Sequence, residues 1–111
     1  EELERIKKLN TFEELDNDYT GPINGFEDAL DYWTKSSCLQ LLPKISLPVL
    51  IINAKDDPML TGNCYPKEQA HSNNFLYLEM PDFGGHCGFI DLNGEKVNWH
   101  VRRAISFITE K

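Results

Sequence analysis

No stretch of this sequence approaches the roughly 18 consecutive apolar residues that a membrane-crossing helix needs, and no secretory leader stands at its start. Basic residues are scarce: 11 Lys and Arg stand against 18 Asp and Glu, for a formal net charge of −7 and a pI near 4.8. Binding a phosphate backbone takes a basic face, so nucleic acid is excluded as a partner. The shortage is sharpest from Thr11 to Trp33, where seven Asp or Glu occur and no Lys or Arg. That run reads as a solvated face. Cysteine is sparse too. Cys38, Cys64 and Cys87 leave an odd one, with no Cys-x-x-Cys and no paired spacing, which points to free thiols in a reducing compartment, the cytoplasm. There is no internal repeat and no low-complexity tract. The chain opens on Glu1-Glu2 rather than Met, which reads as a cut end of a longer protein or a boundary set by cloning.

What is present is enough for a modest core. The 111 residues are 41% hydrophobic and 11% aromatic, which is not a disordered composition and fits one domain or a piece of one. Leu3, Ile6 and Leu9 form a rough helical stripe over residues 1–9. Thr11-Phe12-Glu13-Glu14 is a capping box that starts a second helix, and Gly21-Pro22 breaks it. Helical spacing resumes from Phe26 to Trp33, with Phe26, Ala29, Leu30 and Trp33 on one side. Ser36 and Ser37 cap a short turn through Leu42, and Pro43 and Pro48 close the region.

Val49-Leu50-Ile51-Ile52 is a continuous apolar run, as in a parallel strand covered on both faces. A polar turn, 53–58, follows it. Pro66 to His71 reads as a helix with proline near its first position. Phe75 to Met80 is a second strand, Asn93-Gly94 a turn, and Val97 to Lys111 a terminal helix striped by Val97, Val101, Ala104, Ile105 and Ile108. Residues 1–47 are thus a helical segment leading into the core, adjacent to any lid, and 48–111 a βαβα part. Two parallel strands joined by a crossover helix make one right-handed βαβ unit. Two strands alone do not make a stable open sheet with both faces covered. Either more chain lies upstream, or the exposed sheet edge pairs with another copy.

The chemistry concentrates in two places. Gly84-Gly85-His86-Cys87-Gly88-Phe89 follows the second strand, and Asp56-Asp57-Pro58 follows the first. Ligands of open α/β sheets sit at the C-terminal ends of strands. A carboxylate from one loop can there fix the tautomer of an imidazole from the other, while the second ring nitrogen faces a nucleophile. Gly84, Gly85 and Gly88 suit such a loop by allowing positive φ and close approach. Each piece alone has a plainer explanation, since Asp-Asp-Pro is ordinary turn chemistry. Their conjunction, acid before base, is the order found in α/β-hydrolases.

Here the residues reach a family. Pro48 to Pro58 and Gly84 to Ile90 resemble the C-terminal half of the YheT-like α/β-hydrolases, predicted esterases related to the abhydrolase-domain lipid hydrolases. Phe12-Glu13-Glu14-Leu15-Asp16, Tyr19-Thr20, Gly25-Phe26, Asp31-Tyr32-Trp33 and Ser36-Ser37 agree with it, so the likeness covers nearly the whole chain. The resemblance implies an α/β fold, a C-terminal fragment with parallel strands and flanking helices. It implies His86 as general base and Asp57, three residues after Ala54, as the orienting acid, with Asp56 as the alternative. The implied reaction is ester hydrolysis through an acyl-enzyme on a small-molecule ester or lipid, with no cofactor. It also calls for a serine in a Gly-x-Ser-x-Gly elbow. No Gly-x-Ser occurs, and Ser36, Ser37, Ser46, Ser72 and Ser106 lack flanking glycines. The nucleophile is therefore expected outside this chain, which by itself is expected to be inactive.

The other candidates are set aside on chemistry. Cys87 adjoins His86, and adjacent side chains point apart, so it reads as a small buried filler. Cys64, His71, His86 and the Asp pair match no zinc spacing. His71 and His100 fall on predicted helices as surface or packing residues. Phe26, Tyr32 and Trp33 read first as core, and as neighbours of an acyl chain if a lid lies upstream.

Overall fold

The computed structural model describes residues 2–90 and 97–110, and the expected Asn93-Gly94 turn lies outside them. The chain forms two compact units, Glu1–Cys38 and Leu39–Lys111.

The first unit is helical. Helix α1, Glu2–Ile6, is shorter than its apolar stripe, because the amides of Lys8 and Leu9 bond three residues back and tighten the last turn. The capping box forms as expected. Glu14 N–H donates to Thr11 Oγ1 at 3.1 Å, and Glu14 Oε2 accepts the Thr11 and Asn10 amides at 3.2 and 2.7 Å. Those amides hold the Glu14 carboxyl below the usual carboxylate range.

The expected break at Gly21-Pro22 does not occur. Helix α2, Phe12–Leu15, runs through a π-helical turn, Asp16–Thr20, into a short α3, Gly21–Ile23. Proline has no N–H and crowds the carbonyl four residues back. The wider π turn relieves that crowding. The carbonyl of Asp18, which Pro22 cannot serve, instead accepts the Arg5 guanidinium at 2.7 Å. Gly21 is required by space: a Cβ there would lie 2.7 Å from the Asp16 carbonyl oxygen. Termination comes at Gly25, with φ of +83°, where the Gly25 amide bonds to Pro22 and the Phe26 amide to Gly21.

Helix α4, Ala29–Ser36, starts three residues later than the apolar spacing implies. Asp28 decides this, since its carboxylate accepts the Asp31 amide at 2.8 Å and caps the helix there. Phe26 is left outside and packs on Tyr32, centroids 5.2 Å apart. Of the expected face, Ala29 is buried, while Leu30 and Trp33 are exposed. Ala29 N–H and Trp33 Nε1–H donate to Asn17 Oδ1 and Asp16 Oδ2, tying α4 to the preceding turn.

The second unit carries the sheet. A 3₁₀ turn, Leu42–Lys44, contains Pro43 rather than ending before it. Strands β1, Val49–Ile52, and β2, Leu76–Glu79, pair in parallel with Val49 opposite Leu76 and Ile52 opposite Glu79. Helix α5, Lys67–Ser72, lies in the crossover. Asn73 donates to the Leu42 and Ile45 carbonyls at 3.0 and 2.9 Å, fixing the entry to β2 against the entry to β1. The apolar run of β1 is half-buried rather than covered on both faces, because a two-stranded sheet has little surface for helices to cover.

Helix α6, Trp99–Glu110, packs on one face of the two-stranded sheet. Tyr77 meets Phe107 edge-to-face at 5.2 Å, and two residues on, Glu79 takes Arg103 in a bidentate pair. That contact line is rotated roughly a third of a turn from the apolar stripe. Val97, Val101, Ile105 and Ile108 are therefore exposed, and Phe107 is the buried residue of the helix. The ring pair and the guanidinium fork orient α6 more strongly than scattered aliphatic contacts with so narrow a sheet.

Ala54, Gly84 and Phe89 form a small cluster at the C-terminal end of the strands. Ala54 is fully buried, and Phe89 stacks on Trp99 at 6.0 Å. Phe89 itself takes φ of +44°, a strained value for a bulky side chain. A Cβ at Gly84 would lie 2.5 Å from the Phe89 ring. Gly84→Ala is expected to force that ring out and destabilise the fold by about 1–3 kcal/mol. Urea midpoints measure this, and an unchanged midpoint would show that the ring does not need the space.

Candidate active site

Registration of the two strands persists beyond their ends. Asn53 N–H donates to the Glu79 carbonyl at 3.1 Å and Lys55 N–H to the Pro81 carbonyl at 2.9 Å. Lys55 Nζ then reaches Asp82 Oδ1 at 2.7 Å. Tyr65 Oη–H donates to the Ala54 carbonyl at 2.9 Å and steadies the first loop from below. The turns after β1 and β2 are thus laced together, and the next residues of each face one another.

Asp57 and His86 meet there. His86 Nδ1 lies 2.9 Å from Asp57 Oδ2. The carboxylate side chain is only 2% exposed, whereas the imidazole is 51% exposed. Asp57 Oδ1 accepts the Met59 amide at 2.8 Å, closing an Asx turn over Pro58. Burial pushes the Asp57 carboxyl up. The Met59 amide, the His86 ring and the Leu60 amide outweigh it and hold the group below the usual carboxylate range. An ionised carboxylate only accepts, so Nδ1 carries the proton and donates. The open edge of the ring is then the one bearing Nε2, free to accept a proton from a hydroxyl or water. A buried anion behind the ring stabilises the imidazolium that results.

Asp56 occupies a different position. Its Oδ1 accepts the Gly85 amide at 2.8 Å, so it touches the histidine loop's backbone rather than the ring. The glycines also divide their work differently from the simple expectation. Gly85 takes φ of +61°, Gly84 leaves room for a ring, and Gly88 is not in the left-handed region, which Phe89 occupies instead. Sequence reading missed Phe89 and Tyr65 as supports. An aromatic directly after a glycine loop was the available hint for Phe89, and Tyr65 offered none.

The remaining candidates make no contact with the Asp57–His86 hydrogen bond. Cys38, Cys64 and Cys87 are exposed free thiols, so Cys87, expected as a buried filler, is on the surface instead. Hydrogen bonds from the Thr61 side chain and backbone lower the Cys64 pKa. His71 is exposed near the end of α5. His100 packs on Phe89, rings 5.2 Å apart. Among the described residues no group of three or more His, Cys, Asp or Glu is arranged to hold a metal ion, and no helix is long and apolar enough to cross a membrane.

A parallel pair of strands with flanking helices, a carboxylate after one strand and a histidine after the other, is an arrangement compatible with an α/β-hydrolase. Known proteins agree with that class. The chain is 36% identical over 88 residues to the putative esterase YheT of Escherichia coli, covering 79% of this chain and 26% of that protein. It is 33% identical over 104 residues to a monoacylglycerol lipase of Saccharomyces cerevisiae, covering 93% and 22%. It is 30% identical over 90 residues to phospholipase ABHD3 of Mus musculus, covering 81% and 22%. The chain is homologous to the YheT-like and abhydrolase-type α/β-hydrolases, and it spans about a quarter of the length of these relatives. No protein-family profile and no solved structure matches it.

The Asp57 carboxyl titrates below its unfolded value of roughly 3.9. Its stabilisation is therefore fully present above that pH and lost as pH falls through the folded pKa. The stability difference between the wild type and Asp57→Asn, measured by urea unfolding, is expected to shrink as pH falls below about 4. A difference independent of pH would mean that the carboxylate is not ionised against His86.

Proposed function

We propose that this chain supplies the acid and base of a serine esterase, the nucleophile lying outside these 111 residues in a longer protein. The supporting observation is the 2.9 Å contact between the half-exposed His86 and the buried Asp57, past the ends of adjacent parallel strands. His86 Nε2 takes the proton of a serine hydroxyl as it attacks the ester carbonyl. The buried Asp57 anion stabilises the imidazolium, which then protonates the leaving alcohol. Water, activated by the same imidazole, releases the acid from the acyl-enzyme. No cofactor enters this scheme. The substrate is a carboxylic ester, small or lipidic. The names of the yeast and mouse relatives, a monoacylglycerol lipase and a phospholipase, favour the lipidic kind.

A second reading is a hydrolase-like module for association. The bareness of Leu47, Phe75, Phe83 and Ile90 around the two-stranded sheet favours it. Self-pairing through a sheet edge would cover part of that surface. A fluorophosphonate reagent separates the two readings. The longer protein that carries this segment is expected to be labelled at a serine beyond these residues, and His86→Ala to slow labelling by roughly 10³-fold or more. An intact protein that takes no label, or labelling indifferent to His86, would leave the association module standing.

A further inference from the structure

We infer that Asp56 is a positioning residue for His86, acting as a side-chain rung that continues the β1–β2 ladder into the histidine loop. This rests on the reading of His86 and Asp57 as base and acid. Three facts carry it. The main-chain ladder runs Asn53 to Glu79 and Lys55 to Pro81, and then stops, because the loop after β2 turns away at residues 82–84. The next amide that faces the first loop is that of Gly85, and Asp56 Oδ1 accepts it at 2.8 Å in place of a backbone carbonyl. Gly85 is bonded directly to His86 and sits at φ of +61°. Holding its amide therefore holds the peptide from which the imidazole springs.

The loop needs such a tether. Three of its residues, Gly84, Gly85 and Gly88, are the most costly kind to order. Its far side is already pinned. The Phe89 amide bonds to the Gly84 carbonyl at 2.9 Å, the Asn98 side chain to the Gly88 carbonyl at 3.0 Å, and the Trp99 amide to the Phe89 carbonyl at 3.3 Å. On the side facing Asp57, the Gly85–Asp56 bond is what joins the loop backbone to the acid's own turn. The paired carboxylates thus divide two tasks: Asp57 engages the ring, and Asp56 engages the backbone one residue before it.

The test is nuclear magnetic resonance on the full 111-residue chain with ¹⁵N-labelled histidine. His86→Ala assigns the ring among the three histidines. In the wild type the His86 Nδ1–H proton is expected far downfield and slow to exchange, and Asp57→Asn is expected to abolish that signature. Asp56→Ala is expected to raise its solvent-exchange rate about fivefold, the share of one net hydrogen bond, with circular dichroism unchanged. Asp56→Asn keeps an acceptor oxygen and is expected to restore the wild-type rate. If Asp56→Ala leaves the signature intact, or if Asp56→Asn behaves like Asp56→Ala, the positioning role is overturned while the acid–base pair stands. If the wild type shows no signature sensitive to Asp57, the pair itself fails, and the role of Asp56 with it. A variant that loses its circular dichroism signal would make Asp56 a folding residue and overturn the proposal as well.

Discussion

Four residues of parallel ladder are the constraint on which everything else in the larger unit depends. Val49–Ile52 and Leu76–Glu79 pair without a slip, and the register sends two otherwise unremarkable turns out side by side. Strand pairing has a period of two, so a one-residue shift would turn every side chain to the opposite face. Asp57 and His86 are 29 positions apart in sequence. Only the ladder, prolonged by Asn53, Lys55 and then Asp56, brings a carboxylate and an imidazole to hydrogen-bonding distance. The bond between them is a consequence of register more than of local sequence.

Support for the pair is uneven in a way that suits its chemistry. Asp57 is buried, fixed by the Asx turn at Met59 and backed by a turn that Tyr65 steadies. His86 is half exposed on a glycine loop whose far end is fixed by Phe89, with its amide on the Gly84 carbonyl. A buried anion behind an exposed imidazole fixes the tautomer, and the outer nitrogen stays accessible. Packing density thus lies where orientation is set, and openness where a proton would be exchanged.

In the helical unit, backbone accounting replaces packing as the governing physics. The capping box at Thr11 and the cap at Asp28 set the helix starts, and Gly25 sets a stop. Pro22 leaves a carbonyl without a partner and Arg5 supplies one. Each follows from the rule that backbone polar groups find partners. The capping box was legible because its reciprocal bonds are local. The passage through Gly21-Pro22 was not, because it depends on a π turn and on an arginine from an earlier helix. The start of α4 departs from the apolar spacing because the Asp28 cap outweighs it, and that cap is visible in the sequence as an Asp three residues before Asp31.

The capping box, the two strands with a helix between them, an Asp-bearing turn after one strand and a His-bearing loop after the other, and the kinship with α/β-hydrolases could all be taken from residue order alone. They rest on local bonds, short periodicities and motif spacing, which need no partner from elsewhere in the chain. Which carboxylate takes the imidazole, which face of α6 meets the sheet, and which of the loop's residues bears the strain were decided by tertiary structure. Asp56 and Asp57 are chemically identical neighbours, so nothing in their order separates them until strand register aims one at the ring and the other at the Gly85 amide. The stripe on α6 marked an amphipathic helix correctly. Its orientation was set by Phe107 on Tyr77 and Arg103 on Glu79, contacts that exist only once β2 lies beneath it.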